Sequence, residues 1–336
     1  MNDTRQRAWF ALPFAAAMLL TTLFPTGAAA LFGGKRAAET APAQGAPIAQ
    51  NLELKAYRGV ACTGTLKAVD NEGEAVIYQI ATLPVKGTLE CGDGGVFVYT
   101  PAADAAGTDR FTYTAADESG NVSAPATVTI RIARVSSGVR YADTEGADCA
   151  TAAVDLAEHG IFVGARLGDE WFFEPERTVT RGEFVAMAMA AAGMAASDVT
   201  VTGFADDADI PSWAKGSVAG ALAAGVVRGA QSADGVVFRA EQDVTLSEAA
   251  AVLNRVLDVT DVTLTDFDAD EPVWYAQAVA NLESVSIAPA GGFGDAMERG
   301  VTRGEAARLL SAAIALREAR AENQSVFGRF FAETLN

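Results

Sequence analysis

Between residues 51 and 134 apolar and polar positions alternate with a period of two, which is the pattern of half-buried β-strands. Stretches rich in Gly, Asp and Asn separate the alternating runs, as turns between strands do. The pattern predicts about seven short strands, and therefore an all-β sandwich over residues 51–134. The clearest runs are Leu52–Ala56, Val76–Ile80, Val96–Tyr99, Phe111–Tyr113 and Val128–Ile132.

From about residue 140 onward the hydrophobic period becomes that of α-helices, and one unit of sequence recurs three times. The units begin at Tyr141, Phe204 and Phe267, which are 63 residues apart. Each holds an apolar helix, a loop and a second helix, so an all-α region of three helix-loop-helix repeats is expected after the sandwich. The predicted sections are residues 140–196, 203–259 and 265–318, followed by a C-terminal tail over residues 319–336.

The second helix of each unit opens with a tetrad that has Thr first and Glu fourth. In this spacing the Thr oxygen accepts from the third helical amide and the Glu carboxylate accepts from the Thr amide, which makes a capping box. The residues concerned are Thr180, Glu183, Thr245, Glu248, Thr302 and Glu305.

Arg181 and Arg303 occupy the first helical position of two tetrads, where a cation opposes the helix dipole at a cost of about 0.3–1 kcal/mol. A bound anion would account for this placement, because a guanidinium beside free helix amides can grip a carboxylate. The alternative is a surface arginine paired with a neighbouring carboxylate. In the second tetrad Leu246 stands at this position, so that unit keeps the cap without the charge.

The N-terminus has the order of a secretory signal peptide over residues 1–30: two arginines, an apolar run from Ala8 to Phe24, and small residues at its end. The alternative is an uncleaved membrane anchor. Residues 31–50 are rich in Gly, Ala and Pro and predict a flexible linker. We therefore expect a secreted protein that has no membrane attachment after cleavage.

The 336 residues include 43 Asp and Glu against 25 Lys and Arg, a formal net charge of −18, and one His. Such an acidic surface repels nucleic acid, and a single histidine leaves little room for His-based catalysis or zinc binding. No nucleophile–base pair or Cys/His cluster is visible, so neither an enzyme nor a metal site is expected. Cys62 and Cys91 predict either a disulfide within the β-rich stretch or two small buried hydrophobic residues.

The β-rich stretch resembles the bacterial Ig-like, cadherin-like domain. The likeness rests on Gly87-Thr-Leu, Phe97-Val-Tyr-Thr-Pro101, the run from Gly107 to Tyr113, and Asp117 at the next turn. The resemblance implies an Ig-like sandwich and allows calcium, since some cadherin-like domains bind it; otherwise no cofactor is expected. The candidate oxygen ligands, which could equally be solvated turn carboxylates, are Asp70, Glu72, Asp109, Asp117 and Glu118.

The three units resemble the S-layer homology (SLH) domain. The likeness rests on the aromatic-x-Asp starts, the Gly-x-x-x-Gly loops, Phe173-Glu-Pro175 and the tetrads. It implies a pseudo-threefold bundle with grooves between repeats that bind acidic cell-wall polysaccharide. The residues it assigns to binding are Arg181, Arg303, Trp213, Trp274, Gly164 and Gly229.

Some of these assignments remain open. The two tryptophans could stack on sugar faces, or they could be buried between helices. Ser286 stands where a loop glycine is expected, and Asp148 stands at the Trp position of the first unit. We therefore expect at most two working grooves.

Together the resemblances imply a non-catalytic protein of the cell surface, in the cell wall or S-layer. SLH repeats would hold it non-covalently to an acidic wall polysaccharide, and the Ig-like domain would be a spacer or a ligand-binding module that faces other surface proteins. The alternative is a structural assembly subunit of a surface lattice whose repeats bind no polysaccharide.

Overall fold

The computed structural model describes residues 45–260, 262, 273–289 and 292–334, with the backbone alone over residues 324–334. The predicted signal peptide, residues 31–44 of the predicted linker, and Phe267 lie outside the described residues.

The first part of the described chain is a β-sandwich of nine strands. One sheet has the order β2–β9–β8–β5, the other has the order β3–β7–β6, and β1 pairs with β4 alone. Since β1 forms within the predicted linker, the domain begins earlier than residue 51. The strands are β1 (Ile48–Ala49), β2 (Leu52–Tyr57), β3 (Cys62–Thr65), β4 (Ala68–Val69), β5 (Ile77–Thr82), β6 (Gly87–Cys91), β7 (Val96–Pro101), β8 (Gly107–Ala116) and β9 (Ala126–Ala133).

The alternation read from the sequence is the alternation of burial. Phe97 and Tyr99 of β7 and Phe111 and Tyr113 of β8 are fully buried between the two sheets. The rings of Phe97 and Phe111 meet edge-on with centroids 5.2 Å apart, a favourable arrangement for two aromatic rings. Gly64 of β3 lies under Phe97, and any side chain there would overlap the ring.

The C-terminal region contains six helices in the described residues, but the predicted all-α bundle of three repeats is wrong. Two β-hairpins stand between helices, so the region and the molecule as a whole are mixed α and β. The helices are α1 (Ala150–Glu158), α2 (Arg181–Ala191), α3 (Ser212–Ala223), α4 (Leu246–Leu257), α5 (Ala276–Ser284) and α6 (Arg303–Thr334). The hairpins are β10 (Ala165–Leu167) with β11 (Glu170–Phe172), and β12 (Ala230–Ser232) with β13 (Gly235–Val237).

Helix α6 continues into the predicted C-terminal tail as far as Thr334. Two arginines of α6 lie over the C-terminal ends of other helices. Arg317 donates to the carbonyl of Ala191 in α2, and Arg320 donates to that of Leu257 in α4. Cations near the last carbonyls of a helix are favourable. Among the described helices, none has both the length and the apolar character needed to cross a membrane.

Asp155 of α1 joins the sandwich to the helices. Its carboxylate is buried and accepts from Lys55 Nζ at 2.7 Å and Tyr57 Oη at 2.6 Å, both on β2. Its other oxygen accepts from Ser311 Oγ on α6 at 2.8 Å. Close by, Thr151 Oγ1 donates to the carbonyl of Ala61. One buried carboxylate thus ties together three elements that are distant in sequence.

Candidate ligand-binding cleft

The three predicted tetrads lie side by side because the residues just before them form a closed ring of backbone hydrogen bonds. The amide of Val179 donates to the carbonyl of Val301, that of Val244 to Val179, and that of Val301 to Val244, at 2.9–3.0 Å. All three valines are buried. The ring brings the starts of α2, α4 and α6 together, although its three valines are 65 and 57 residues apart along the chain.

Each of the three helices starts with a capping box. At α2 the amide of Glu183 donates to Thr180 Oγ1 at 3.2 Å, and the amide of Thr180 donates to Glu183 Oε2 at 2.9 Å. The same two bonds are present for Thr245 with Glu248, and for Thr302 with Glu305. The Thr and Glu residues of the tetrads therefore have a structural role.

Arg303 is buried at the start of α6 and reaches across to the first unit. Its Nη1 donates to the carbonyl of Phe173 at 2.6 Å and to Glu174 Oε2 at 3.1 Å, and its guanidinium carbon lies 4.7 Å from the centre of the Phe162 ring. Burial and the nearby cation Arg177 lower the pKa of Arg303, and Glu174 opposes this shift. The Glu174 carboxylate and the Phe173 carbonyl thus account for the placement of Arg303, and both belong to the protein itself.

Arg181 makes the equivalent contact with the second unit. Its Nε donates to the carbonyl of Phe238 at 3.0 Å, its Nη1 pairs with Glu248, and its guanidinium carbon lies 5.2 Å from the centre of the Phe238 ring. Both arginines therefore fix a neighbouring loop, and of the two explanations offered for them, the structure shows pairing with a neighbouring carboxylate.

The aspartates near the start of each unit hold the same loops from the other side. Asp143 accepts from the amides of Phe173 and Glu174, and Asp206 accepts from those of Phe238 and Arg239, at 2.6–2.8 Å. The equivalent Asp268 of the third unit lies outside the described residues. Glu174 and Arg239 both have φ near +60°, a strained conformation that these amide bonds stabilise.

Gly164 and Gly229 have a conformational explanation. Their φ angles are +74° and +72°, and a Cβ at either would press on the carbonyl of Phe172 or of Val237 in the following hairpin. Only glycine fits a left-handed backbone so close to another strand. The two glycines therefore let hairpins β10–β11 and β12–β13 pack against the loops that precede them.

An open cleft of about 360 Å³ lies between hairpin β12–β13 and the loop that Arg181 and Asp206 hold. The polar residues that line it are Asp206, Asp209, Glu241, Ser232, Arg239 and Gln242. Arg239 is exposed, and no carboxylate among the described residues pairs with its guanidinium. The cleft thus combines one cation with three carboxylates, a hydroxyl and an amide, which is suitable chemistry for a polar ligand.

The equivalent loop of the first unit has the opposite charge. Glu174 stands where Arg239 stands in the second unit, and it already binds Arg303 and lies 3.6 Å from Arg177. The free cation is therefore a feature of the second unit, which is the unit that lacks an arginine in its own tetrad.

Trp213 and Trp274 lie on the surface, with 58% and 60% of their area exposed. Burial between helices, the second explanation considered for them, is therefore excluded. Trp213 stands at the start of α3, four residues after Asp209 of the cleft. Exposed indole rings of this kind can stack on sugar faces.

The three cysteines are free thiols. Cys62 lies buried on β3 and Cys91 lies exposed on β6, with β7 between them, so the predicted disulfide is absent. Strands two positions apart in a sheet are about 10 Å apart, which exceeds the reach of a disulfide. Burial raises the pKa of the Cys62 thiol.

Of the carboxylates considered for calcium, the two buried ones, Asp109 and Asp117, accept hydrogen bonds from nearby groups. Asp109 accepts from the amides of Val85 and Lys86 and from Tyr99 Oη, and Asp117 accepts from Asn121. Within the described part of the chain, no group of three or more acidic, His or Cys side chains is arranged to hold a metal ion.

Two residues that matter here were not singled out from the sequence. Arg239 belongs to no recognisable motif. Its only signal is its position directly after Phe238, which matches the position of Glu174 directly after Phe173 in the first unit. Asp155 lies among the alanines and leucine of an apolar helix. A carboxylate in the buried stripe of a helix indicates a fixed partner, and this is the signal that could have identified it.

Comparison with known proteins supports one of the two resemblances. Residues 44–134 match the family model of the bacterial cadherin-like domain, so the expectation for the sandwich is confirmed. No SLH model matches the chain, and no curated protein matches it.

Solved structures match parts of the chain at low similarity. An endo-fucoidan hydrolase from glycoside hydrolase family 107 is 19% identical over 31% of this chain and 16% of that one, with a TM-score of 0.24. The SrpA adhesin from Streptococcus sanguinis is 16% identical over 29% and 61%, with a TM-score of 0.21. Titin domain M7 is 18% identical over 27% and 98%, with a TM-score of 0.19. Nothing about function follows at this level. What the comparisons identify is the region over residues 44–134, as a bacterial cadherin-like domain.

Proposed function

We propose that this is a non-catalytic protein of the bacterial cell surface, and that its helical region holds it to an acidic cell-wall polysaccharide as an SLH-type anchor. The cadherin-like domain over residues 44–134 supports an extracellular location. In this proposal the domain is a spacer or ligand-binding module that the anchor keeps at the wall.

The observation that carries the proposal is the cleft of the second unit with its free cation. A chain of net charge −18 repels an acidic polymer at long range, so binding must rest on a local positive group. Arg239 is the one cation that lines the cleft, beside the carboxylates of Asp206, Asp209 and Glu241. Its guanidinium can take a carboxylate of the polymer in a bidentate pair. Ser232, Gln242 and Asp209 offer partners for sugar hydroxyls, and Trp213 offers an exposed ring.

Arg181 acts on this site as a positioning residue. It binds the carbonyl of Phe238, whose own amide, like that of Arg239, is held by Asp206. Loss of Arg181 would release the loop from one side, so it would weaken ligand binding and stability together. Loss of the Arg239 side chain would weaken binding alone, because that side chain supports no other part of the fold.

Retention of the protein on purified wall sacculi, before and after extraction of the non-peptidoglycan polymer, tests the proposal. We expect retention before extraction and its loss afterwards, and we expect Arg239→Ala to reduce retention about tenfold or more, the value of one lost charge-assisted hydrogen bond. Arg134→Ala, which removes an exposed arginine outside the cleft, is the matched control. Retention that survives extraction, or an equal effect of both variants, contradicts the proposal.

A further inference from the structure

Another open cavity, of about 240 Å³, lies at the C-terminal ends of α2 and α4. The capping boxes stand at the opposite ends of these helices, which are 11 and 12 residues long. At a rise of 1.5 Å per residue, about 16–18 Å of helix separates this cavity from them. It is therefore a different place in the molecule from the cleft of the second unit. The residues that line it are Ala192, Val256, Leu257, Arg317, Arg320 and Ala321.

Arg317 and Arg320 lie about one turn apart on α6, and both line this cavity. Arg317 Nη1 donates to the carbonyl of Ala191 at the end of α2, and Arg320 Nη1 donates to that of Leu257 at the end of α4. In the part of the chain that the structure describes, neither guanidinium pairs with a carboxylate. The Nε and Nη2 donors of both side chains therefore remain available to a ligand.

The carboxylates near these arginines in the fold do not neutralise them. Glu318, which stands between them on α6, lies 3.1 Å from His159 Nε2. Asp258, which follows Leu257, is exposed and forms no ion pair with either arginine. Each helix end contributes a charge of about −0.5, so the two guanidiniums leave a net charge of about +1 at the cavity. Like charges one turn apart on a helix repel each other, and a bound anion would relieve that repulsion.

The rest of the lining is hydrocarbon. Val256 and Leu257 come from α4, and the methyl groups of Ala192 and Ala321 complete it. A ligand that matches this cavity has one anionic end and one apolar end. At about 30 Å³ for each non-hydrogen atom, the volume that a water molecule takes in the liquid, the cavity has room for about eight such atoms.

We infer that this cavity binds a small aliphatic carboxylate, with its carboxylate group on the guanidiniums of Arg317 and Arg320 and its chain against Val256 and Leu257. Guanidinium groups pair with carboxylates through parallel N–H···O bonds. Each methylene group that leaves water strengthens binding about fourfold. Pentanoate, with seven non-hydrogen atoms, matches both the volume and the division into a charged and an apolar part.

Nuclear magnetic resonance titration of the intact chain with sodium pentanoate tests the inference at the two arginines. Their Nε–H signals, assigned by their loss in Arg317→Lys and Arg320→Lys, should shift together with one dissociation constant. Acetate has the same charge and almost no chain, so it should bind about tenfold more weakly, for about two fewer buried methylene groups. The uncharged alcohol pentan-1-ol should leave both signals in place. Arginine signals that pentanoate does not move, shifts that pentan-1-ol reproduces, or equal affinities for acetate and pentanoate would overturn the inference.

Two variants of α6 test the location of the site. Ala321→Glu places a carboxylate at the cavity, four residues after Arg317, where it competes for the guanidiniums. It should weaken pentanoate binding about tenfold or more, the value of one charge-assisted hydrogen bond. Ala319→Glu adds the same charge at an exposed position of the same helix that does not line the cavity, and it should leave binding unchanged. Both variants keep the two arginines and their bonds to the helix ends, and an equal loss of affinity in the two would contradict a site at this cavity.

Discussion

Replacement of Asp155 by Asn is the sharpest test of how the two parts of the molecule are joined. The side chain keeps its size but loses its charge, while Lys55, Tyr57 and Ser311 still point at it. The amide oxygen can still accept from Lys55 and Tyr57, and the amide NH2 can donate to Ser311 Oγ. These bonds lose their charge assistance, and Lys55 loses its counter-charge.

The cost follows from burial and from the partners. Breaking a buried charge pair costs about 3–5 kcal/mol, and one charge-assisted hydrogen bond is worth about 1.5–3 kcal/mol. Asp155 is 3% exposed, whereas the Lys55 side chain is 41% exposed and can turn towards water. The cost is therefore about 2–3 kcal/mol, the value of one charge-assisted hydrogen bond, which lowers Tm by about 3–5 °C in a chain of this size.

Scanning calorimetry measures both this loss and its location. We expect the wild type to unfold in one transition and Asp155→Asn to separate it into two, one for the sandwich and one for the helical region. Asp148→Asn is the matched control, since that carboxylate is exposed and its pair with Arg308 is a surface pair worth about 0–1 kcal/mol. Equal effects of the two variants would refute the role assigned to Asp155.

The same carboxylate predicts a pH dependence. Burial alone would raise the pKa of Asp155, but hydrogen bonds from Lys55, Tyr57 and Ser311 hold it below its ordinary value. A group whose pKa is lower in the folded chain stabilises the fold above its unfolded pKa, and this contribution is lost as the pH falls through the folded pKa. The difference in stability between wild type and Asp155→Asn should therefore shrink below about pH 4.

Three further outcomes are expected. Ser286→Gly should stabilise the protein by about 0.5–1 kcal/mol in urea unfolding, because Ser286 has φ +60° after α5. Gly225 has φ +72° with open space around it, so Gly225→Ser should lower the stability by a similar amount. If Ser286→Gly lowered the stability, the explanation from the left-handed backbone would be contradicted. Arg303→Met should destabilise by about 2–4 kcal/mol in the same assay, because the carbonyl of Phe173 and the Glu174 carboxylate lose their donor. A near-neutral result would mean that Arg303 does not hold the loop of the first unit in place. Arg299 and the Thr302 amide lower the pKa of Glu305 to about 2. Glu305→Gln should therefore destabilise the protein at pH 7, and this effect should disappear between about pH 4.5 and pH 2. A difference in stability between wild type and variant that stays constant down to pH 2 would refute the contribution of Glu305.

The sequence predicts best where a local pattern carries the structure. Alternation at Phe97, Tyr99, Phe111 and Tyr113 follows directly from the two faces of a strand, and Thr and Glu three residues apart specify a capping box through bonds within one turn. Such features need no knowledge of the rest of the fold.

The hairpins were missed because their strands are three residues long, too short to show alternation. Their turns carry Gly168-Asp169 and Asp234-Gly235, which are hairpin signals, but the helical period on either side concealed them.

The partners of Arg181 and Arg303 could not be predicted from local sequence either. Their partners, Phe238 and Phe173, lie far away in the chain, so the cost of a cation at a helix start was visible while the internal acceptor was not.

Binding of the wall polymer by the Arg239→Ala variant tests the central claim most directly, because that side chain reaches the cleft and supports nothing else. Measured by calorimetric titration against the extracted polymer, with Arg134→Ala as control, the account predicts at least a tenfold loss of affinity at unchanged Tm. Unchanged affinity, or a loss that Arg134→Ala reproduces, would contradict it.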